Sequence, residues 1–144
     1  MESFIIVFVI IFLIGAVSFL KPSKKMKALS QVRMAAAKEG FKIGSTNQLR
    51  KKFKNWSPQV AIYQFKNLSE YKNLHYIKIE KTLELYDPIS IKYEKNFEII
   101  EKKISKLPSS ILEIIFYQSN IAIVWNEMLG TEELLKIKEA ILKI

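Results

Sequence analysis

The residues able to do chemistry are few. There is one histidine, His75, and no cysteine, so thiol catalysis, a Ser-His-Asp triad and a zinc cluster each lack parts. His75 alternates with Ile77 and Ile79, which reads as a histidine at the edge of a core rather than an acid–base group. The four glycines, at 15, 40, 44 and 130, form no phosphate-cradling loop of the P-loop or dinucleotide type. Paired carboxylates are the enzyme option that remains. Glu98 and Glu101 lie at i, i+3, with Lys102 at i+4 from Glu98, and a solvated, salt-bridged helix face explains that spacing. Asp87 is the only aspartate, and its place before Pro88 reads as turn chemistry. The expectation is therefore no catalytic residue, no metal, no cofactor, no small-molecule substrate and no enzyme.

Lysine supplies the other candidate chemistry. From Lys21 to Lys54 there are eleven Lys and Arg against one acid, Glu39, a surplus of ten. From Asn55 to Ile144, twelve Lys meet twelve acids. The +9 of the whole chain is thus confined to one short stretch. Lys21, Lys24, Lys25, Lys27 and Arg33 are candidates for contact with anionic lipid head groups, at about 1 kcal/mol per basic residue close to the surface. Arg50, Lys51, Lys52 and Lys54, interleaved with Phe53 and Trp56, are candidates for contact with a partner or with RNA. Arginine stands only at 33 and 50, and bidentate recognition of phosphates and bases favours arginine; specific nucleic-acid readout is disfavoured. Trp125-Asn126-Glu127 with Gly130 could present a loop to a partner, since Trp is favoured in binding hot spots. The preferred reading is structural, with Trp125 capping the core and Gly130 opening a helix.

What positions these lysines is the segment before them. Ser3 to Leu20 holds eighteen residues without a charge, and as a helix they rise about 27 Å, close to the apolar thickness of a bilayer. A cleaved signal peptide would carry a basic start and a shorter apolar run; here Glu2 precedes the run and the bases follow it. The asymmetry predicts a single span with the N-terminus outside and the rest in the cytoplasm, and the absence of cysteine is consistent with that address. The expected organisation is a transmembrane helix at 3–20, a basic juxtamembrane helix and loop at 21–56, and a cytoplasmic α+β domain at 57–144.

The expected fold is a mostly antiparallel sheet with two helices packed on it. After Pro22, Ser23 is placed to cap a helix running to Glu39 and ended by Gly40. Its thin apolar stripe (Met26, Leu29, Val32, Ala36, Ala37) suits either the lipid interface or docking on the domain. Phe41 to Ile43 is a short strand, and Gly44 to Trp56 a loop or frayed helix. Val60 to Phe65 reads as a strand. Between Leu74 and Tyr86, His75, Ile77, Ile79, Leu83 and Leu85 are assigned one face, as one bent strand or as a hairpin turning at Glu80-Lys81. Ile89 to Tyr93 alternates like a strand. Asn96 to Lys106 takes helical spacing through Phe97, Ile100, Ile104 and Leu107. Ile111–Tyr117 and Ile121–Trp125 form a hairpin, and a final helix follows, capped by Thr131 with Glu132 and Glu133 in its first turn.

The first forty residues resemble the start of YajC, the small accessory subunit of the bacterial preprotein translocase: one span, the basic entry Lys21-Pro22-Ser23-Lys24-Lys25, and a charged helix ending in Gly40. The glycine-rich β segment of YajC does not follow. A fuller resemblance is to uncharacterised single-span proteins of gammaproteobacteria loosely labelled YajC-like. It is carried by Arg33, Ala36 and Gly40, and by the strand Ile121 to Trp125 with Glu127, Gly130 and the last helix. This resemblance implies an inner-membrane address and no known activity. The combined expectation is a non-enzymatic single-span protein whose cytoplasmic domain binds a protein at the membrane surface; the alternative is a membrane-tethered RNA or ribosome contact through residues 50–56.

Overall fold

The computed structural model describes residues 1–44, 47–58 and 60–144. Helix α1 (Glu2–Leu20) is apolar all round and fully exposed, with a mean hydropathy of 3.0 over its best window. By length and composition it is suited to crossing a membrane. Helix α2 (Lys24–Lys38) starts as its sequence predicts: the Ser23 hydroxyl accepts the Met26 N–H at 3.2 Å. It also ends so. Gly40 takes φ 88°, the Phe41 N–H reaches back to the Ala36 carbonyl at 2.9 Å, and that of Gly40 reaches Ala37 at 3.3 Å, the paired bonds of a Schellman ending.

Among the described residues six strands form one antiparallel sheet. They are β1 (Lys42–Ile43), β2 (Ala61–Lys66), β3 (Leu74–Ile79), β4 (Thr82–Asp87), β5 (Ile111–Phe116) and β6 (Asn120–Trp125), in the order β1-β2-β6-β5-β3-β4. The hairpin of β5 and β6 closes as expected, with the Tyr117 N–H donating to the Asn120 carbonyl at 2.7 Å. Helix α3 (Asn47–Lys52) precedes β2, α4 (Phe97–Ser105) lies between β4 and β5, and α5 (Thr131–Leu142) ends the fold. Of the loop expected from Gly44 to Trp56, Ser45 and Thr46 lie outside the described residues.

The sheet buries both faces, which period-two strands allow. On the first, Tyr63, Tyr76, Ile114, Phe116, Ile123 and Trp125 meet α4 through Ile100 and Ile104, and α5 through Leu134, Ile137 and Ile141. Helix α2 joins the same core through Val32 and Ala36. Three helices therefore pack where two were expected, because the thin stripe of α2 docks on its own domain while Met26 stays exposed. Packing thus runs across residue 56, where charge alone suggests a boundary. On the second face Ile62, Ile115, Ala122 and Val124 lie under Phe53.

Three local expectations need correction. Of the two readings of the segment 74–86, the hairpin is the one found, β3 to β4, turning at Glu80-Lys81 with Glu80 at φ 57°; the shared face is what changes. The hairpin register pairs Ile77 with Glu84 and Tyr76 with Leu85, so Leu83 and Leu85 belong to the first face and His75 and Ile77 to the second. Ile89–Tyr93 is a 3-10 turn rather than a strand. Pro88, which offers no N–H to a ladder, ends β4, and the two isoleucines then split, Ile91 packing inward and Ile89 outward. Thr131 is the first residue of α5, not its cap; Gly130, at φ 91°, holds that position.

Candidate functional site

The site grows from a salt bridge between the two ends of the folded part. Arg33, on α2, meets Glu127, in the 3-10 turn Glu127–Leu129 that follows β6. Nε donates to Oε2 at 2.8 Å and Nη2 to Oε1 at 2.9 Å. The Tyr63 hydroxyl, from β2, donates to the same Oε2 at 2.7 Å. Glu127 is buried, while about half of the Arg33 side chain stays in water. Burial pushes the Glu127 carboxyl up, and the hydrogen bonds from Arg33 and Tyr63 more than offset it, so it titrates below the ordinary carboxylate range. Burial first, and then the bond to Glu127, hold the Tyr63 phenol well above its ordinary value. Lys138, on α5, adds a second tie, reaching Glu39 at the C-terminal end of α2 at 2.6 Å.

Beside this bridge lies an open cleft of about 820 Å³. Lys25, Arg33 and Arg50 bring three cations to its lining and Glu127 one carboxylate; Leu29 and Trp56 are among its apolar walls. Lys21, Lys24 and Lys27, named from sequence with Lys25 and Arg33 as lipid contacts, are exposed on the link to α2 and on its first turn.

The basic run 50–56 is a strap packed on the second sheet face. Phe53 is buried and meets His75 edge-on at 6.4 Å. Three cations then lie over three rings: Arg50 over Trp56 at 4.7 Å, Lys52 over Tyr117 at 5.1 Å, and Lys54 over Tyr86 at 5.7 Å. Lys51 stays exposed on α3. The strap is fastened by Glu113, whose two carboxylate oxygens accept the Lys54 backbone N–H at 2.8 and 2.9 Å. Glu113 has no exposure to water, and His75 Nε2 stands 3.1 Å from its Oε1. His75 is therefore the edge-of-core residue that the strand pattern indicates. Trp125, fully buried, caps the core as its sequence position suggests.

The sequence pattern does not single out Glu113 or Tyr63, and it marks Glu127 only as part of the loop after Trp125, not as a partner of Arg33. Glu113 did leave a signal, as the one charge inside the strand Ile-Leu-Glu-Ile-Ile-Phe, where an acid needs a buried partner. Among the described residues no group of three or more His, Cys, Asp or Glu is placed to hold a metal ion. Glu98 and Glu101 lie on α4, away from the cleft lining. Comparison with protein-family models, with curated proteins and with solved structures gives no match.

Proposed function

We propose that this chain is a single-span protein of the bacterial inner membrane. Its N-terminus lies outside, and its α+β domain is held on the cytoplasmic surface to bind a protein partner, without catalysing a reaction. The observation that carries the reading is the shortness of the link between α1 and α2. Only Lys21, Pro22 and Ser23 separate the apolar helix from a helix that is part of the domain core. From Leu20 to Lys24 the chain reaches about 14 Å at full stretch, so an inserted α1 holds the start of α2, and with it the domain that α2 joins, near the lipid. The lysines of the link and of the first turn of α2 fall where the positive-inside rule keeps charge in the cytoplasm.

A protein partner is supported by exposed apolar side chains on neighbouring elements. Ile89 and Tyr93, on the 3-10 turn, and Ile99, on α4, face solvent, and the turn packs against both β4 and α4. A translocase-type complex is the partner class suggested by the resemblance to YajC. RNA contact through residues 50–56 is weighed down by packing: Lys52 and Lys54 already lie over the rings of Tyr117 and Tyr86.

The test is in-cell crosslinking of the full-length protein, followed by carbonate extraction of the membranes and identification of what is captured. Retention in the extracted membrane with capture of membrane-complex subunits is the expected result. Release by carbonate overturns the span, and capture of ribosomal components overturns the choice of partner.

A further inference from the structure

The cleft beside the Arg33–Glu127 bridge mixes charges and apolar walls in a way that salt bridging alone does not use. Lys25, Arg33 and Arg50 line it together with one carboxylate, Glu127, to which Arg33 is joined. The fork to Glu127 employs Nε and Nη2 of Arg33, and Nη1 lies outside it. Two of the three cations are guanidinium groups, the side chain best shaped for phosphate oxygens. An inorganic anion would gain little from Leu29 and Trp56 in the same lining, whereas an amphiphile would bury carbon against them. The cleft is also in the right place. Lys25 is the second residue of α2, so with α1 inserted it opens at or just beyond the head-group layer, which is about 5–7 Å deep on each side.

We propose that this cleft binds the head group of an anionic glycerophospholipid. Lys25, Arg33 and Arg50 take the phosphate, and Leu29 and Trp56 take the adjoining glycerol and first acyl carbons. The inference rests on the reading that α1 spans the bilayer. It goes beyond that reading in assigning a defined lipid site rather than a diffuse basic surface. Held there, one lipid would connect α2, the strap and the turn before α5, and so fix how the domain sits on the membrane.

The experiment uses the full-length protein in nanodiscs of phosphatidylcholine doped with phosphatidylglycerol, with lipid retained on the released protein read by native mass spectrometry. Retention of phosphatidylglycerol over phosphatidylcholine is expected. Lys25→Gln with Arg50→Gln should lower it about tenfold or more, as two contacts of about 1 kcal/mol each imply. Lys24→Gln with Lys27→Gln, an equal loss of charge on the same helix outside the cleft lining, removes only diffuse attraction and should lower it by a factor at least about threefold smaller than the cleft pair does. Because Arg50 also packs on Trp56, Lys25→Glu serves as an independent variant at an exposed side chain and should act in the same direction. Equal losses in the cleft and control pairs overturn the proposal in favour of diffuse attraction. Stripping of the lipid by inorganic phosphate overturns it in favour of a free-anion site. Failure of the protein to enter the nanodisc at all strikes the span itself and is distinguishable from both.

Discussion

Arg33 and Glu127 stand ninety-four residues apart and meet side by side, guanidinium to carboxylate, at 2.8 and 2.9 Å. The pair fastens the first helix after the apolar segment to the turn that launches the last one. Glu127 is buried and Arg33 half exposed, so the two are unequal in what their loss would do. Arg33→Ala leaves a buried carboxylate with Tyr63 as its remaining side-chain donor, and should destabilise the domain by about 1–3 kcal/mol, water at Arg33 keeping the cost below that of a fully buried pair. The same change in a Glu127→Gln background should cost much less. Urea unfolding of the four proteins of this cycle in mild detergent gives the comparison, and additive losses would mean that the pair is not coupled.

The same carboxylate gives a pH dependence with a definite sign. Its folded value lies below its unfolded one, which is about 4.3. The stabilisation is therefore complete above that unfolded value and is lost as pH falls through the folded value. Between pH 6 and pH 3 the urea midpoint of the wild-type protein should drop further than that of Glu127→Gln. Equal drops would assign the acid sensitivity to other groups.

Legibility in the sequence follows the range of the interactions involved. The Ser23 cap, the Gly40 ending and the β5–β6 hairpin are set by neighbours a few residues away, and each can be read from local residue types. The 89–93 turn misleads because alternation over five residues has no partner strand to confirm it. Leu83 and Leu85 fall on the face opposite to His75 and Ile77 because a two-residue turn reverses the direction of counting: each strand keeps its own alternation, but the register decides which residues share a side. The sequence shows Arg33 only as a base beside a span; its partner Glu127 lies ninety-four residues away, beyond any pattern of spacing. Arg50, Lys52 and Lys54 read as an open basic run, and only the fold brings Tyr86 and Tyr117 beneath two of them.

Gly40 offers a test of the α2 ending that separates backbone strain from crowding. Its φ is 88°, yet a methyl group there would meet only Phe65 Cε2 at an ordinary 3.5 Å. Gly40→Ala should therefore cost about 1 kcal/mol, from the left-handed backbone rather than from a clash. Gly44 has no left-handed φ, and among the described residues no atom lies within 4 Å of such a methyl. Gly44→Ala should leave stability unchanged or slightly raise it by restricting the unfolded chain. Thermal unfolding of both variants reads the difference, and equal losses would mean that the Gly40 ending is not what limits the helix.

Glu113 should control how tightly the basic strap lies on the sheet. It is fully buried on the second face, and its two oxygens share the backbone N–H of Lys54. Phe53, next in the chain, fills the same face beside His75. Replacing the carboxylate by leucine leaves that N–H without its acceptor and His75 without its neighbour, a loss of about 1–3 kcal/mol. The loss should appear first in the strap, which the carboxylate fastens, rather than in the ladder of β5 with β6. Trypsin reads this directly, because Arg50, Lys51, Lys52 and Lys54 are its cleavage sites. Glu113→Leu should raise the rate of cutting at these four positions about tenfold, the equivalent of about 1.4 kcal/mol in the opening equilibrium. Glu113→Gln, which keeps one acceptor oxygen for Lys54, should fall between that variant and the wild type. If all three proteins are cut at the same rate while Glu113→Leu is globally less stable, the strap is held by Phe53 and the three ring contacts, and the carboxylate serves only the sheet.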